Sequence, residues 1–111
     1  MRRVVGWLTV LLCAASVVAQ AADGFALTHE LWDRPRTARA VLEQPAVRQA
    51  LQQHLARSGS RLVIHHARGQ EAALQAGELR MWLMALAVDE ARVELAGDLT
   101  QNEPLRIEVA K

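Results

Sequence analysis

The sequence predicts a small α/β fold of the α+β sandwich type, in which helices pack on one face of a mixed sheet. Two β-like runs, Arg61 to His66 and Arg92 to Ala96, flank a long amphipathic segment from Gly69 to Val88. A third run, Leu105 to Val109, alternates apolar and charged residues as a half-exposed strand does. A helix of that length can connect two parallel strands, which a tight turn cannot join. The order therefore indicates a parallel strand pair with a crossover helix, followed by a last strand.

The first 21 residues have the pattern of a secretory signal peptide. Arg2 and Arg3 precede an apolar run from Val4 to Val18, and Ala19-Gln20-Ala21 supplies the small-x-small pattern of a cleavage site. The run is shorter than the roughly 20 residues needed to span a bilayer, which favours cleavage over an uncleaved anchor. We therefore expect residues 1–21 to be removed, leaving no membrane span and a single small domain over residues 22–111.

Composition and charge exclude several functional classes. The single cysteine, Cys13, lies inside the signal segment, so the exported chain would have no disulfide or thiol chemistry. The formal net charge is +1, and it becomes −1 once Arg2 and Arg3 are removed. Such a balance gives no electrostatic basis for binding nucleic acid.

The segment that follows the expected signal peptide, residues 22–36, leaves two structural alternatives open. Residues 22–36 show no clear period, so they either form one short edge strand or lie over the core with Trp32 as an anchor. Thr37 then offers an N-cap for a short helical turn, and Pro45 suits the first position of a further helix. On that helix we expect an apolar stripe, closed by a glycine; these positions are Val47, Leu51, Leu55 and Gly59.

The run from Arg61 to His66 has the pattern of a central strand. Leu62, Ile64 and His66 share one face of a strand, whereas Val63 and His65 share the other, so both faces are largely apolar. The following helix should bury a stripe at helical spacing, formed by Ala72, Ala76, Leu79, Leu83 and Leu86. Trp82 falls beside that stripe.

The C-terminal half resembles the OmpA C-terminal-like domain, a small α/β domain with the order βαβαββ. The run from Gln75 to Gly97, QAGELRMWLMALAVDEARVELAG, is similar to that family's helix, turn and following strand, which ends in glycine. The segment Leu105-Arg-Ile107-Glu-Val109 is similar to the family's last strand. The resemblance implies a periplasmic protein of the bacterial cell envelope and, in the family's usual mode, binding of the diaminopimelate group of peptidoglycan.

The chain departs from that family at the two charged residues of its ligand site. The family uses an aspartate at the end of a Gly-His-Thr-Asp loop and an arginine about two turns along the next helix. Here the loop reads His65-His66-Ala67-Arg68-Gly69, and Gln75 stands where the arginine belongs. Because charge-assisted hydrogen bonds are the strong ones, we expect weak or absent binding to peptidoglycan.

The remaining polar residues suggest a site at the carboxyl edge of the parallel strands, where ligands of such sheets tend to bind. A His and an Asp at this edge could form a proton-transfer pair. His65 and His66 face opposite sides and would not bind one metal together, and we expect neither a catalytic residue nor a cofactor. The candidate ligand-binding residues are His66, Arg68, Gln70, Gln75 and Asp98.

Two functions follow from this sequence. The first is an exported, non-enzymatic periplasmic accessory protein that binds an envelope protein or assembly through a surface such as Trp32 or Trp82. The alternative is an envelope module that binds peptidoglycan or another small ligand in a divergent pocket at the strand carboxyl edge. The missing charged pair favours the first.

Overall fold

A computed structural model describes residues 24–111, so the expected signal peptide and Cys13 lie outside the described residues. The strands are β1 (Phe25–Ala26), β2 (Arg61–Ala67), β3 (Val93–Leu99) and β4 (Arg106–Ala110). The helices are α1 (Ala38–Glu43), α2 (Pro45–Ala56) and α3 (Gln70–Ala85). Short 3₁₀ turns cover His29–Asp33 and Glu90–Arg92. None of the helices in this part of the chain is long and apolar enough to cross a membrane.

The strands form one mixed sheet in the order β1-β4-β2-β3. β2 and β3 are parallel, and α3 is the connection between them; β4 runs antiparallel to both β2 and β1. β2 is therefore a central strand, as its two apolar faces predicted. The predicted fold class, a small α+β fold with a mixed sheet, is confirmed.

The core lies between one face of this sheet and the helices. α2 packs on β1 and β4, whereas α3 packs on β2 and β3. Alternation along the strands directs one set of side chains to the helices, and these are completely buried: Leu62, Ile64 and Ile107. The helices contribute the facing residues Ala46, Val47, Ala50, Ala76, Leu79 and Leu83. Of the apolar stripe predicted for α3, Ala76, Leu79 and Leu83 are buried in the core and Leu86 packs at its edge, whereas Ala72 lines a cleft beside the N-terminus of α3.

One position of the stripe predicted for α2 is wrong. Leu55 is 83% exposed, although Val47 is fully buried and Leu51 packs at the edge of the core. Each step of four residues overshoots a full helical turn, so two steps rotate the side chain by roughly 80° away from Val47. The helix ends at Ala56, and the predicted closing residue, Gly59, has a φ of 79° in the turn that follows.

The N-terminal segment combines the two alternatives that the sequence left open. Phe25 pairs with Ile107, so β1 is a short edge strand. The 3₁₀ turn that follows places Trp32 against the core, where its side chain is partly buried. The predicted caps are also present: the Thr37 side chain accepts a hydrogen bond from the Ala40 backbone N–H (3.0 Å), and Pro45 is the first residue of α2.

The strand β3 is longer than the predicted run from Arg92 to Ala96. It continues to Leu99 because the ladder with β2 resumes after an irregularity. His65 pairs with Ala96 and Ala67 pairs with Leu99, so β3 uses one residue more than β2 between these pairs. This bulge carries Gly97 and Asp98 to the carboxyl end of the parallel pair.

Candidate functional sites

Two adjoining clefts lie at the carboxyl edge of β2 and β3. The first has a volume of about 540 Å³ and is bordered by the ends of both parallel strands and the start of the β3–β4 loop. The second, of about 330 Å³, lies between the N-terminus of α3 and that loop. Arg68, Gly69 and Gln101 border both clefts. Gly69 has φ 120° and ψ 157°, a conformation almost restricted to glycine, and it turns the chain from β2 into α3.

Four of the five candidate ligand-binding residues border these clefts. Arg68 and Asp98 line the first cleft, and Arg68, Gln70 and Gln75 line the second. The sequence placed Arg68 and Asp98 among the candidates at this edge but did not show that they share a cleft. The bulge in β3 brings Asp98 to the same cleft as Arg68.

His66, the fifth candidate, lines neither cleft, so the structure does not bring it together with the other four. Its Nδ1 lies 2.9 Å from the Ala67 carbonyl oxygen, and its ring lies against Gly97. A Cβ on Gly97 would come within 3.0 Å of the His66 ring, so the absence of a side chain there permits this contact. The ring is thus packed over the backbone of β3.

The loop between β3 and β4 contributes residues that sequence reasoning missed. Gln101, Asn102 and Glu103 line the second cleft, opposite His29 from the N-terminal segment. Glu103 accepts hydrogen bonds from both the backbone N–H and the hydroxyl of Thr100, each 2.7 Å, and these bonds lower the pKa of Glu103. The sequence marked this loop as polar, but its position over the N-terminus of α3 is a tertiary feature.

A second polar group lies on the sheet face opposite the helices. His65 contacts Asp98 through Nδ1, at 2.9 and 3.0 Å from the two carboxylate oxygens. Its Nε2 lies 2.7 Å from a carboxylate oxygen of Glu108. Burial of His65 lowers its pKa, but the hydrogen bonds to Glu108 and Asp98 outweigh burial, so the pKa is raised. The hydrogen bond from His65 in turn lowers the pKa of Asp98.

This arrangement favours a charged imidazolium, because both ring nitrogens face acceptors and both must carry a proton to donate. The carboxylates lie at opposite nitrogens of the ring, so they are not arranged around one common position. Within residues 24–111, no group of three or more His, Cys, Asp or Glu side chains could hold a metal ion. The sequence allowed a pair of one His and one Asp at this edge, and in the structure that pair is His65 with Asp98.

Trp32 and Trp82, the residues suggested for partner binding, flank an ion pair that joins the N-terminal segment to α3. Arg36 forms two hydrogen bonds to Glu78, with Nε at 2.8 Å and a terminal nitrogen at 3.2 Å. The guanidinium lies over the Trp32 ring, 5.4 Å from its centre, and the Trp82 indole N–H donates to Glu78 at 3.1 Å. Both indoles are partly buried against the core.

Besides Leu55 on α2, two large apolar side chains on α3 are mostly exposed. Leu74 is 66% exposed and Met81 is 67% exposed, and their spacing of seven residues places them on one side of the helix. Gly77 lies between them, and a Cβ at this glycine would meet no atom within 4 Å apart from its chain neighbours and the nearby backbone of α3. Leu74, Gly77 and Met81 together form an apolar surface that we call the outer face of α3.

No protein-family model, curated protein or solved structure matches this chain. The likeness to the OmpA C-terminal-like domain therefore rests on the sequence pattern.

Proposed function

We propose that this protein is an exported, non-enzymatic periplasmic accessory protein with an OmpA-like fold, and that it binds a partner protein of the cell envelope through the outer face of α3. The observation that carries this proposal is the exposure of Leu74 and Met81 on a helix whose opposite side is already buried in the core. Exposed apolar side chains that are neighbours on a helix surface can mark a protein–protein contact. A partner protein would provide the second contact.

The order of helices and strands supports the OmpA-like fold in this proposal. A strand, a helical pair, a central strand, a crossover helix and two further strands follow one another, which matches the βαβαββ order of the OmpA C-terminal-like domain. Export is supported by Arg2, Arg3 and the apolar run that follows them. Mass spectrometry of the protein from an envelope fraction should find a chain that begins near Ala22 or Asp23. An intact Met1 in a cytoplasmic fraction would contradict export.

Site-specific photo-crosslinking tests the binding surface. A photoreactive amino acid placed at Leu74 or Met81 should give a discrete crosslinked product in living cells, identified by mass spectrometry. The same amino acid at Gln49 or Gln52, exposed residues of α2, should give none, because they lie on another surface. Equal crosslinking at all four positions, or none at Leu74 and Met81, would refute the proposed binding surface.

A second candidate function is binding of a small ligand in the carboxyl-edge clefts, including a peptidoglycan fragment. The observation that favours it is the presence of Arg68 and Asp98 in one cleft, since opposite charges can hold the carboxylate and the ammonium of a zwitterion. Asp98 already accepts from His65, however, and Gln75 offers no charge. We therefore expect weak or absent binding in a sedimentation assay with purified sacculi. Saturable binding that free diaminopimelate abolishes would favour this second function.

A further inference from the structure

The strand β3 forms one edge of the sheet. It pairs with β2 on one side, and within residues 24–111 no strand pairs with its other side. At seven residues it is much longer than β1, the two-residue strand at the opposite edge. An edge strand presents unpaired backbone N–H and C=O groups, which can hydrogen-bond to an added strand.

The side chains of β3 differ between the two faces of the sheet. On the face away from the helices, Glu94 lies 3.0 Å from Arg61, and Asp98 contacts His65. Both carboxylates are more than half exposed. On the helix face Leu95 is 44% exposed, although the residue that it pairs with on β2 is completely buried. The free edge thus has two half-exposed carboxylates on one face, each paired with a side chain of β2, and an uncovered apolar side chain on the other.

Helix α3 leaves space above this edge. Arg80 marks the flank of α3 that faces β3, because its Nε lies 3.4 Å from the Val93 carbonyl oxygen. Ala73 and Gly77 precede Arg80 by seven and three residues and so share that flank. Gly77 has no side chain, and no atom beyond its chain neighbours and the nearby backbone of α3 lies within 4 Å of where its Cβ would be. An added strand would therefore have room for apolar side chains beside Leu95.

We propose that the free edge of β3 binds an extended segment of the partner protein as an additional strand. That segment carries Lys or Arg at alternate positions, next to Glu94 and Asp98, and apolar residues between them, next to Leu95. The inference rests on the proposed partner binding and names the surface and the chemistry that it uses.

A second copy of this chain is a poorer occupant than such a segment. Antiparallel pairing of β3 with itself about Ala96 would put Glu94 of each copy opposite Asp98 of the other. Like charges directly opposite each other destabilise strand pairing, whereas opposite charges stabilise it. In this register the charge pattern of the edge therefore disfavours a second copy and favours a basic strand.

Two synthetic peptides of about nine residues test this inference, one with alternating Lys and Val and one with alternating Glu and Val. Amide hydrogen exchange and NMR shift changes on the full chain report where each peptide binds. The Lys-Val peptide should slow exchange of the β3 amides, and the Glu-Val peptide should not. Glu94→Lys should weaken binding of the Lys-Val peptide about tenfold, since it replaces an attractive pair by a repulsive one. Glu43→Lys, the same charge change on α1, should leave the affinity unchanged.

The outcomes separate this inference from the proposed function. Binding of both peptides with equal affinity, protection outside β3, or protection of β3 by self-association without peptide would each overturn the edge proposal. Loss of the crosslinked product at Leu74 in the Glu94→Lys protein supports the edge as part of the partner site. A crosslinked product that persists in that variant, together with no binding of the Lys-Val peptide, overturns the edge proposal and leaves the proposed function standing. A melting curve of Glu94→Lys that matches wild type shows that the variant folds.

Discussion

The imidazole of His65 donates from Nδ1 to Asp98 across 2.9 Å, which joins the two parallel strands on the sheet face that no described helix covers. Glu108, on β4, contacts the other ring nitrogen at 2.7 Å, so one partly buried side chain connects three neighbouring strands. A charged imidazolium satisfies both contacts at once, whereas a neutral ring has only one N–H to donate.

This geometry predicts a dependence of stability on pH. The pKa of His65 is raised, so its stabilising contribution is complete below the ordinary histidine value of about 6.5 and is lost as pH rises through the raised value. The pKa of Asp98 is lowered, so its contribution is lost only as pH falls through that lowered value. His65→Gln should therefore reduce the free energy of unfolding more at pH 6 than at pH 9. Urea denaturation of both proteins at the two pH values measures the difference.

NMR titration provides the matched control for that experiment. Asp98→Asn should lower the pKa of His65, because it removes one of the two carboxylates that stabilise the charged ring. A His65 pKa that stays the same in Asp98→Asn, or a His65→Gln effect that is equal at both pH values, would contradict the charged-ring interpretation.

The comparison of His65 with His66 shows what the sequence could not predict about this site. Alternation along the strand correctly placed the two histidines on opposite faces, and the position of the carboxyl edge followed from the parallel strand pair. The bulge between the His65–Ala96 and Ala67–Leu99 pairs was not visible, since nothing in the run from Val93 to Leu99 marks the extra residue apart from Gly97. The bulge brings Asp98 to His65, so the pairing depended on register rather than on residue type.

The second prediction concerns the two sides of α3. Leu83 is completely buried against the sheet, so Leu83→Ala should reduce the free energy of unfolding by about 2 to 5 kcal/mol, through lost burial and the cavity left behind. Met81→Ala, two residues earlier and largely exposed, should change it by no more than about 0.5 kcal/mol. Chemical denaturation of both variants measures this. Similar losses for the two variants would mean that the assignment of the helix faces is wrong.

The third prediction concerns Arg36 and Glu78, which hold the N-terminal segment on α3 through two hydrogen bonds. The contact lowers the pKa of Glu78, chiefly through the hydrogen bond from Arg36. Because a lysine cannot reproduce the two-pronged geometry, Arg36→Lys should release the segment almost as fully as Arg36→Ala. Amide exchange should then accelerate in residues 29–37, with little change in β2.

The neighbouring Arg39 supplies the control for this release. Arg39 is an exposed residue of α1, and Arg39→Ala should leave exchange in residues 29–37 unchanged. Equal acceleration in the Arg39 and Arg36 variants, or wild-type exchange in Arg36→Ala, would show that the ion pair does not hold the segment. The sequence could not predict this contact, because the two residues lie 42 positions apart and only the tertiary fold brings them together.

The spacing of apolar residues predicted which segments are helices or strands and which side of α3 faces the core. It did not predict where each helix or strand ends, because that depends on the local backbone conformation. The segment from Gly69 to Val88 was expected to be one continuous helix, yet α3 ends at Ala85. The amides of Ala87 and Val88 turn back to the carbonyls of Met84 and Leu83, both at 3.0 Å. This is the Schellman arrangement, which usually has glycine at the position that Ala87 occupies. No glycine marks the end of the helix, so its last residue could not be predicted from residue types.

The fourth prediction follows from that helix end. Ala87 has a φ of 78°, in the left-handed region that costs an L-residue with a side chain roughly 1 to 2 kcal/mol. Ala87→Gly removes this strain but adds about 0.4 to 1 kcal/mol of unfolded-state entropy, so the variant should gain up to about 1 kcal/mol in the free energy of unfolding. Ala85→Gly, in the last turn of α3, should instead lose up to about 1 kcal/mol, because its backbone is helical. The melting temperature and the urea midpoint should therefore rise in Ala87→Gly and fall in Ala85→Gly. A loss of stability in Ala87→Gly would show that the left-handed conformation is not strained at this helix end.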